Sequence, residues 1–442
     1  MQATLSLPAA TLRERWAWYL YDFGNSAYAA VVLLAIYSAY FKEQVVGGAE
    51  GSRLWGLSLG VAMFVVAVTA PVLGTIADYS AFKKRFLLFY TVLACLFTGL
   101  LFFVQQGDIL IGILFFILAE IGYRSAQVFY NALLPEIATP AEMGRVSGNG
   151  WAIGSAGGIL CLLIVLPLIV LIGGTFIVRL SLAITALFFA VSAIPIFTWL
   201  RERGQSHELP AGETYLSLSL KRLWKTFQAA RNYKEFLKFM AAFVIYNDGI
   251  IMALDFAAII GTVLYGMTQQ ELIIFIILVQ VTSVAGAYLF GLLTDYWSSK
   301  QSLVISLLLM IAAVGWLYVN PSKTGFFLIG GLAGFALTGV QSVSRTMVGL
   351  LSPPGQSAEF YGLFAVVGRG SSLIGPVVYG LIAAEAALWY TGQGFSTLVA
   401  EQMGQRLAIV SIAVFLVAGL VILLFVNEKE GRAAVRESGL QL

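Results

Sequence analysis

Residues 74–84 read GTIADYSAFKK, and residues 291–301 read GLLTDYWSSKQ. Gly74, Asp78, Tyr79 and Lys83 fall on Gly291, Asp295, Tyr296 and Lys300, an offset of 217. The same offset carries Leu133, Leu134, Ala141, Glu142 and Gly158 onto Leu350, Leu351, Ala358, Glu359 and Gly375. Each stretch closes a long apolar run and opens a basic loop. A match of this kind between two distant loops marks a duplicated unit whose copies share one orientation.

The runs around these loops set the class of the protein. The 442 residues are 59% hydrophobic and only 11% charged, where a soluble domain carries about 25% charged residues. Twelve stretches are long and apolar enough to cross a bilayer as helices: about 16–41, 54–77, 86–106, 109–134, 146–172, 174–200, 235–264, 271–294, 301–319, 325–351, 360–386 and 406–426. A transmembrane barrel would show alternating segments of about ten residues, and these runs are continuous. The sequence therefore predicts an all-α transmembrane protein of twelve helices, arranged as two parallel-repeat six-helix bundles. The expected domains are 1–200, a cytosolic linker 201–234, and 235–442.

Counted from a cytosolic N-terminus, the even loops and the two tails hold 17 Lys and Arg residues. The other face holds five: Lys42, Arg53, Arg179, Lys323 and Arg406. The positive-inside rule then predicts that both termini are cytosolic. Within the linker, Leu216, Leu220, Leu223, Trp224 and Phe227 recur at helical spacing among Lys221, Arg222, Lys225 and Arg231. That pattern predicts an amphipathic helix on an anionic inner leaflet, with a partner-protein helix as the alternative. The N-terminus has no signal-peptide layout, so no cleaved leader is expected. Cys95 and Cys161 fall inside spans and read as small packing residues. The single histidine, His207, makes no zinc site.

Charged groups inside the runs are the informative exceptions. Asp22, Glu120, Asp248 and Asp255 stand against Arg124, Arg345 and Arg369. Each unpaired charge at mid-bilayer costs about 2.5–3.5 kcal/mol on insertion scales, so these groups must pair or line a wet cavity. In span 4, Glu120, Arg124, Gln127 and Asn131 share one helical face. In span 10, Thr338, Gln341, Ser342 and Arg345 do the same. In span 1, Tyr21, Asn25 and Tyr28 share a face with Asp22 beside it, and Asn247 and Asp248 lie in span 7. Spans 1, 4, 7 and 10 are equivalent positions under the repeat.

Four stretches carry a family resemblance: WYLYDFGNSAY (18–28), FYNALLPEIATPAEMGRVSGNGWAIG (129–154), YNDGI (246–250) and QSVSRTMVGLLSPPGQSAEFYGLF (341–364). Together with the paired G-x-x-x-D loops, they resemble the major facilitator superfamily. Within it they resemble the vacuolar amino-acid effluxers of the autophagy type and their prokaryotic relatives. The resemblance implies a cavity lined by spans 1, 4, 7 and 10. It also implies that Asp78 with Lys83, Lys84 and Arg85, and Glu142 with Arg145, latch the cytosolic side, with Asp295 as the counterpart in the second half. Signalling of topology alone is the competing reading for these loops. The chain lacks the long extra loops associated with fungal members, so a prokaryotic plasma (inner) membrane is expected.

The expected function is a secondary-active transporter of a small amphoteric solute, with neutral amino acids foremost. The expected substrate-binding residues are Asp22, Asn25, Glu120, Arg124, Gln127, Asn131, Asn247, Asp248, Gln341 and Arg345. Burial favours the neutral form of a carboxyl group, so Asp22, Glu120 and Asp248 are the candidates to carry a coupling proton. Glu120 and Arg124, four residues apart, can instead simply neutralise one another. An exporter of amphiphiles, drugs or lysolipids is the alternative, with Phe129, Tyr130 and Phe256 as its aromatic wall. An intramembrane enzyme is not expected: the spans hold no histidine, and Asp248 and Asp255 lie about 10.5 Å apart along one helix. A receptor that binds without turnover is the remaining class. No cofactor, metal or nucleic acid is expected, and the chain is expected to act as a monomer.

Overall fold

Twelve helices long and apolar enough to span a bilayer follow one another along the chain. They appear in a computed structural model that describes residues 10–79, 82–138, 142–203, 212–353 and 357–439. For residues 78, 143–145, 295, 357–359, 369 and 436–439 it describes the backbone alone. Asp78, Arg145, Asp295 and Arg369 thus have side chains outside the described set, and His207 lies outside it altogether.

Spans 1 to 6 are Leu12–Val46, Gly48–Ala77, Lys83–Phe103, Ile109–Ile137, Val146–Leu171 and Gly174–Thr198. Spans 7 to 12 are Lys234–Asp255, Gln269–Thr294, Ser299–Val319, Lys323–Leu350, Ile374–Gly392 and Thr397–Leu424. Large apolar side chains such as Phe64, Phe89, Leu110, Leu187 and Tyr288 are exposed on them. That surface is stable only against lipid.

Several spans depart from a single continuous α-helix. Span 1 is α-helical over Leu12–Tyr28, then π-helical over Ala29–Ala35 and again over Phe41–Val46. Span 7 breaks at Phe256 and resumes as a short helix, Ala257–Tyr265, which ends on the left-handed Gly266. Span 11 is two helices, Ser357–Ser371 and Ile374–Gly392, rather than one run over 360–386. Span 12 begins at Thr397, well before residue 406. Glu401, Gln405 and Arg406 made that first stretch look like loop, yet they are ordinary helical residues with partners of their own.

The chain forms two compact units. The first draws on Met1–Val32, Val68–Val104 and Leu114–Leu220; the second on Leu33–Ala67, Gln105–Ile113 and Lys221–Leu442. In the first, span 1 packs on spans 5 and 6, and span 3 packs on span 6. Close approach of span 1 to span 5 depends on a glycine row. A Cβ at Gly150 would meet Trp18, one at Gly154 would meet the Asp22 carboxylate, and one at Gly157 would meet the Phe23 backbone. In the second unit, span 7 packs on span 12, span 8 on span 10, and span 11 on span 12.

Side-chain chemistry repeats between the halves and extends the duplication past its single offset. Glu14 accepts from the Arg201 N–H just after span 6 (3.1 Å), and Glu235 accepts from the Asn427 N–H just after span 12 (2.5 Å). Glu202 accepts from the Lys83 N–H at the start of span 3 (2.6 Å), and Glu428 accepts from the Lys300 N–H at the start of span 9 (2.8 Å). Glu202 and Glu428 each satisfy a backbone donor that the start of a helix leaves unpaired. Gly24 lies against Phe189 and Ser192 of span 6, and Gly249 against Ile412, Phe415 and Leu416 of span 12. These pairs stand at offsets other than 217 because loop lengths differ between the copies, so a single shift of the sequence misses them.

Candidate functional site

In the first unit an aromatic ladder joins spans 1 and 4. The Trp18 indole N–H donates to the Tyr130 carbonyl (3.0 Å), and the two rings stack at 4.4 Å. Tyr21 also stacks on Tyr130 at 5.1 Å, and Tyr28 stacks on Tyr123 at 4.5 Å. Beside this ladder, Arg124 Nε donates to Glu120 Oε1 (2.7 Å), with the guanidinium over the Tyr123 ring at 5.2 Å. Glu120 is fully buried.

Polar atoms in this cluster lack protein partners. Asn25 Oδ1, Tyr28 Oη, Glu120 Oε2 and Tyr130 Oη are buried with no protein atom in full hydrogen-bond geometry, the Tyr28 hydroxyl lying beside the Glu120 carboxylate. Buried polar atoms are nearly always satisfied, and each one left unmade costs about 1–3 kcal/mol. Four of them on two facing spans are a concentrated demand for a hydrogen-bonding guest. Asp22 lies against Gly154. Gln127 is half-buried, and Asn131 is exposed.

In the second unit, Asn247 and Asp248 hold the break in span 11. Asp248 Oδ1 accepts from the Gly375 N–H (2.9 Å) in the first turn of Ile374–Gly392. Asn247 Nδ2 donates to Ser371 Oγ (3.1 Å) and to the Gly368 carbonyl (3.4 Å). A carboxylate on the positive end of a half-helix is well placed electrostatically. A Cβ at Gly375 would sit 2.6 Å from Asp248 Oδ1 and 2.7 Å from Met252 Cγ, so a larger residue here would push one of them aside. These two residues thus already have protein partners. Gln341 and Arg345 are exposed. The Tyr361 hydroxyl donates to the Arg345 carbonyl (3.0 Å), and among the described residues the Arg345 guanidinium has no ion pair.

Of the residues read as a latch on the cytosolic side, Lys83 and Glu142 are bonded inside the first unit. Lys83 pairs with Glu136 (2.6 Å), and Glu142 pairs with Arg15 (2.8 Å). Arg203 pairs with Glu14 (2.8 Å), and the Arg203 N–H donates to Glu136 Oε2 (2.6 Å). Arg85 is exposed, with its guanidinium 4.5 Å from the Phe82 ring. Two aromatics read as cavity wall are spent on packing: Phe129 stacks on Phe86 at 5.1 Å, and Phe256 meets Tyr379 at 4.2 Å.

Sequence reasoning missed an interlock inside the second unit, where spans 1 and 2 meet spans 11 and 12. Lys42, buried, bridges Glu401 (2.5 Å) and Glu43 (3.0 Å), and Arg53 pairs with Glu385. Gln405 Nε2 donates to Ser52 Oγ (2.8 Å), and Gln405 Oε1 accepts from the Tyr379 hydroxyl (2.8 Å). The Trp55 N–H donates to the Asp255 carbonyl (2.9 Å), which the break in span 7 frees. Gly56 lies against the Pro376 carbonyl, and a Cβ at Gly380 would be 2.6 Å from the Ser52 carbonyl. The only sequence signal was a scatter of charges at span ends, which loops also carry.

Comparison with known proteins fits this architecture. A family model described as "Vacuole effluxer Atg22 like" matches residues 57–436. The chain is 28% identical over 428 residues to an uncharacterized MFS-type transporter, YxiO, of Bacillus subtilis (strain 168), covering 94% of this chain and 95% of that protein. It is 25% identical over 414 residues to autophagy-related protein 22 of Yarrowia lipolytica, covering 74% and 70%. A bacterial homolog to the human lysosomal transporter Spinster, solved inward-facing and unoccupied, superposes with a TM-score of 0.70 at 15% identity, over 96% of this chain and 97% of that one. A mutant of the nucleoside transporter NupG superposes with a TM-score of 0.72 at 14% identity, over 93% and 99%. At such identities the likeness is one of fold, and the fold is that of the major facilitator superfamily. The molecule is a multi-pass membrane transporter of that type, and the chain belongs to the Atg22-like vacuole effluxer family.

Proposed function

We propose that this transporter is secondary-active and moves a small amphoteric solute by alternating access, with neutral amino acids as the substrate class and a proton as the coupling ion. The observation that carries the reading is the set of four unpartnered buried polar atoms on spans 1 and 4, beside an ion-paired acid and base. A zwitterion offers what such a cluster lacks: donors for Asn25 Oδ1 and Glu120 Oε2, and acceptors for the two tyrosine hydroxyls. Arg124 or Arg345 would hold the carboxylate by paired hydrogen bonds. Asp22 faces the ammonium group or carries the proton. One elementary charge moving down 100 mV supplies about 2.3 kcal/mol, enough for a roughly fifty-fold solute gradient. The charge bias of the loops supports cytosolic termini, and the bacterial relative supports a plasma membrane.

Counterflow of labelled neutral amino acids in proteoliposomes tests the proposal, with Arg124→Ala and Arg345→Ala as variants. Transport should be lost in both while each protein stays folded by gel filtration. Full counterflow in both variants would remove the arginines from the site.

A further inference from the structure

The segment between spans 6 and 7 holds a helix, Tyr215–Ala230, that the transport reading does not use. It starts on a capping pair, in which the Ser217 N–H donates to Thr214 Oγ1 (3.2 Å) and the Thr214 N–H donates to Ser217 Oγ (3.0 Å). Successive residues turn by 100° around its axis. Ser219, Thr226 and Ala230 fall on one side and are buried. Leu216, Leu220, Trp224 and Phe227 form a second side and are 56%, 57%, 59% and 41% exposed. Lys221, Arg222 and Lys225 form a third, exposed side.

Four large apolar side chains held open to one side demand an apolar neighbour. The chain's own path says which. Only residues 231–233 separate this helix from Lys234, where span 7 begins. Even fully extended, that link is on the order of 14 Å long, so the end of the helix cannot leave the bilayer surface. We propose that Tyr215–Ala230 lies in the headgroup layer of an anionic leaflet. Leu216, Leu220, Trp224 and Phe227 enter the acyl region, and Lys221, Arg222 and Lys225 meet lipid phosphates.

Site-directed spin labelling of the full chain tests this. In a Cys95→Ser, Cys161→Ser background, nitroxides are placed at Leu220→Cys or Lys225→Cys, about 140° apart on the helix. The protein is reconstituted in nanodiscs of phosphatidylcholine alone or mixed with phosphatidylglycerol. The label at 220 should collide readily with oxygen and be shielded from a water-soluble nickel chelate, and the label at 225 should do the opposite. Phosphatidylglycerol should sharpen the contrast. Replacing Lys221 and Arg222 by Gln in both labelled proteins should cancel that lipid effect. Equal nickel access at both positions overturns the proposal. A label at 220 immobilised to the same degree with and without lipid, and shielded from oxygen as well as from nickel, also overturns it, because a packed protein surface would then be the partner.

Discussion

Neutralising Glu120 and Arg124, singly and together, separates a structural ion pair from a binding one. Glu120 is fully buried, and Arg124 is its 2.7 Å partner. Arg124→Gln leaves the acid without its base, and breaking a buried pair this way costs about 3–5 kcal/mol. Replacing both partners by neutral groups of similar size is often harmless to stability. The single variant should therefore melt lower, and Glu120→Gln/Arg124→Gln should recover most of the loss. Transport should behave differently. A charge-assisted hydrogen bond to solute is worth about 1.5–3 kcal/mol, a factor of roughly ten to a hundred in affinity. The double variant should thus be as stable as the parent yet transport at least tenfold less at low substrate. Melting curves and counterflow on the same preparations provide the assay. A stable double variant with parental transport would show that the pair serves the fold alone, and would refute the reasoning.

The interlock in the second unit should be equally sensitive. Glu401→Gln strands the buried Lys42 ammonium with only the half-exposed Glu43. A cysteine at Ser52 should then react faster with a maleimide, and Lys42→Met/Glu401→Gln should restore its protection; unchanged reactivity throughout would deny the interlock any role. Gly375→Ala should destabilise, because its Cβ would sit 2.6 Å from Asp248 Oδ1, whereas Gly362→Ala, with open space around it, should not. Adding Asp248→Ala should relieve only part of the Gly375→Ala defect, because the Cβ would also sit 2.7 Å from Met252 Cγ, and no relief at all would place the clash elsewhere. Glu14→Gln and Glu235→Gln should each lower stability by about 1–3 kcal/mol, since each acid satisfies the backbone N–H that follows the sixth span of its half. A large loss in one and none in the other would break the equivalence of the halves.

The number of spans and the duplication were legible because apolar length and loop motifs are local signals. So was the shared face of Glu120 and Arg124, which follows from helical spacing alone. The breaks at Phe256 and in span 11 were not legible. Their backbone groups are satisfied by Trp55 and Asp248 from distant parts of the chain, and nothing local announces such partners. For the same reason the half-helix start that Asp248 caps was not legible. Glu202 and Glu428 were passed over because acids beside basic loops read as solvated charge, whereas each caps the start of a span. The early start of span 12 was hidden by Glu401, Gln405 and Arg406, whose polarity mimics a loop until their partners in spans 1, 2 and 11 and near span 9 are seen.

The central claim is that the unpartnered hydroxyls of spans 1 and 4 bind substrate, and Tyr28→Phe/Tyr130→Phe addresses it directly. The change keeps both stacked rings and removes only the two orphaned oxygens. The measurement is the affinity of the purified protein for neutral amino acids, read from ligand-induced thermal shifts. The account predicts saturable binding in the parent, a substrate-free double variant at least as stable, and affinity weakened about tenfold or more. Undiminished binding in the double variant, or no binding of any neutral amino acid by the parent, would contradict it.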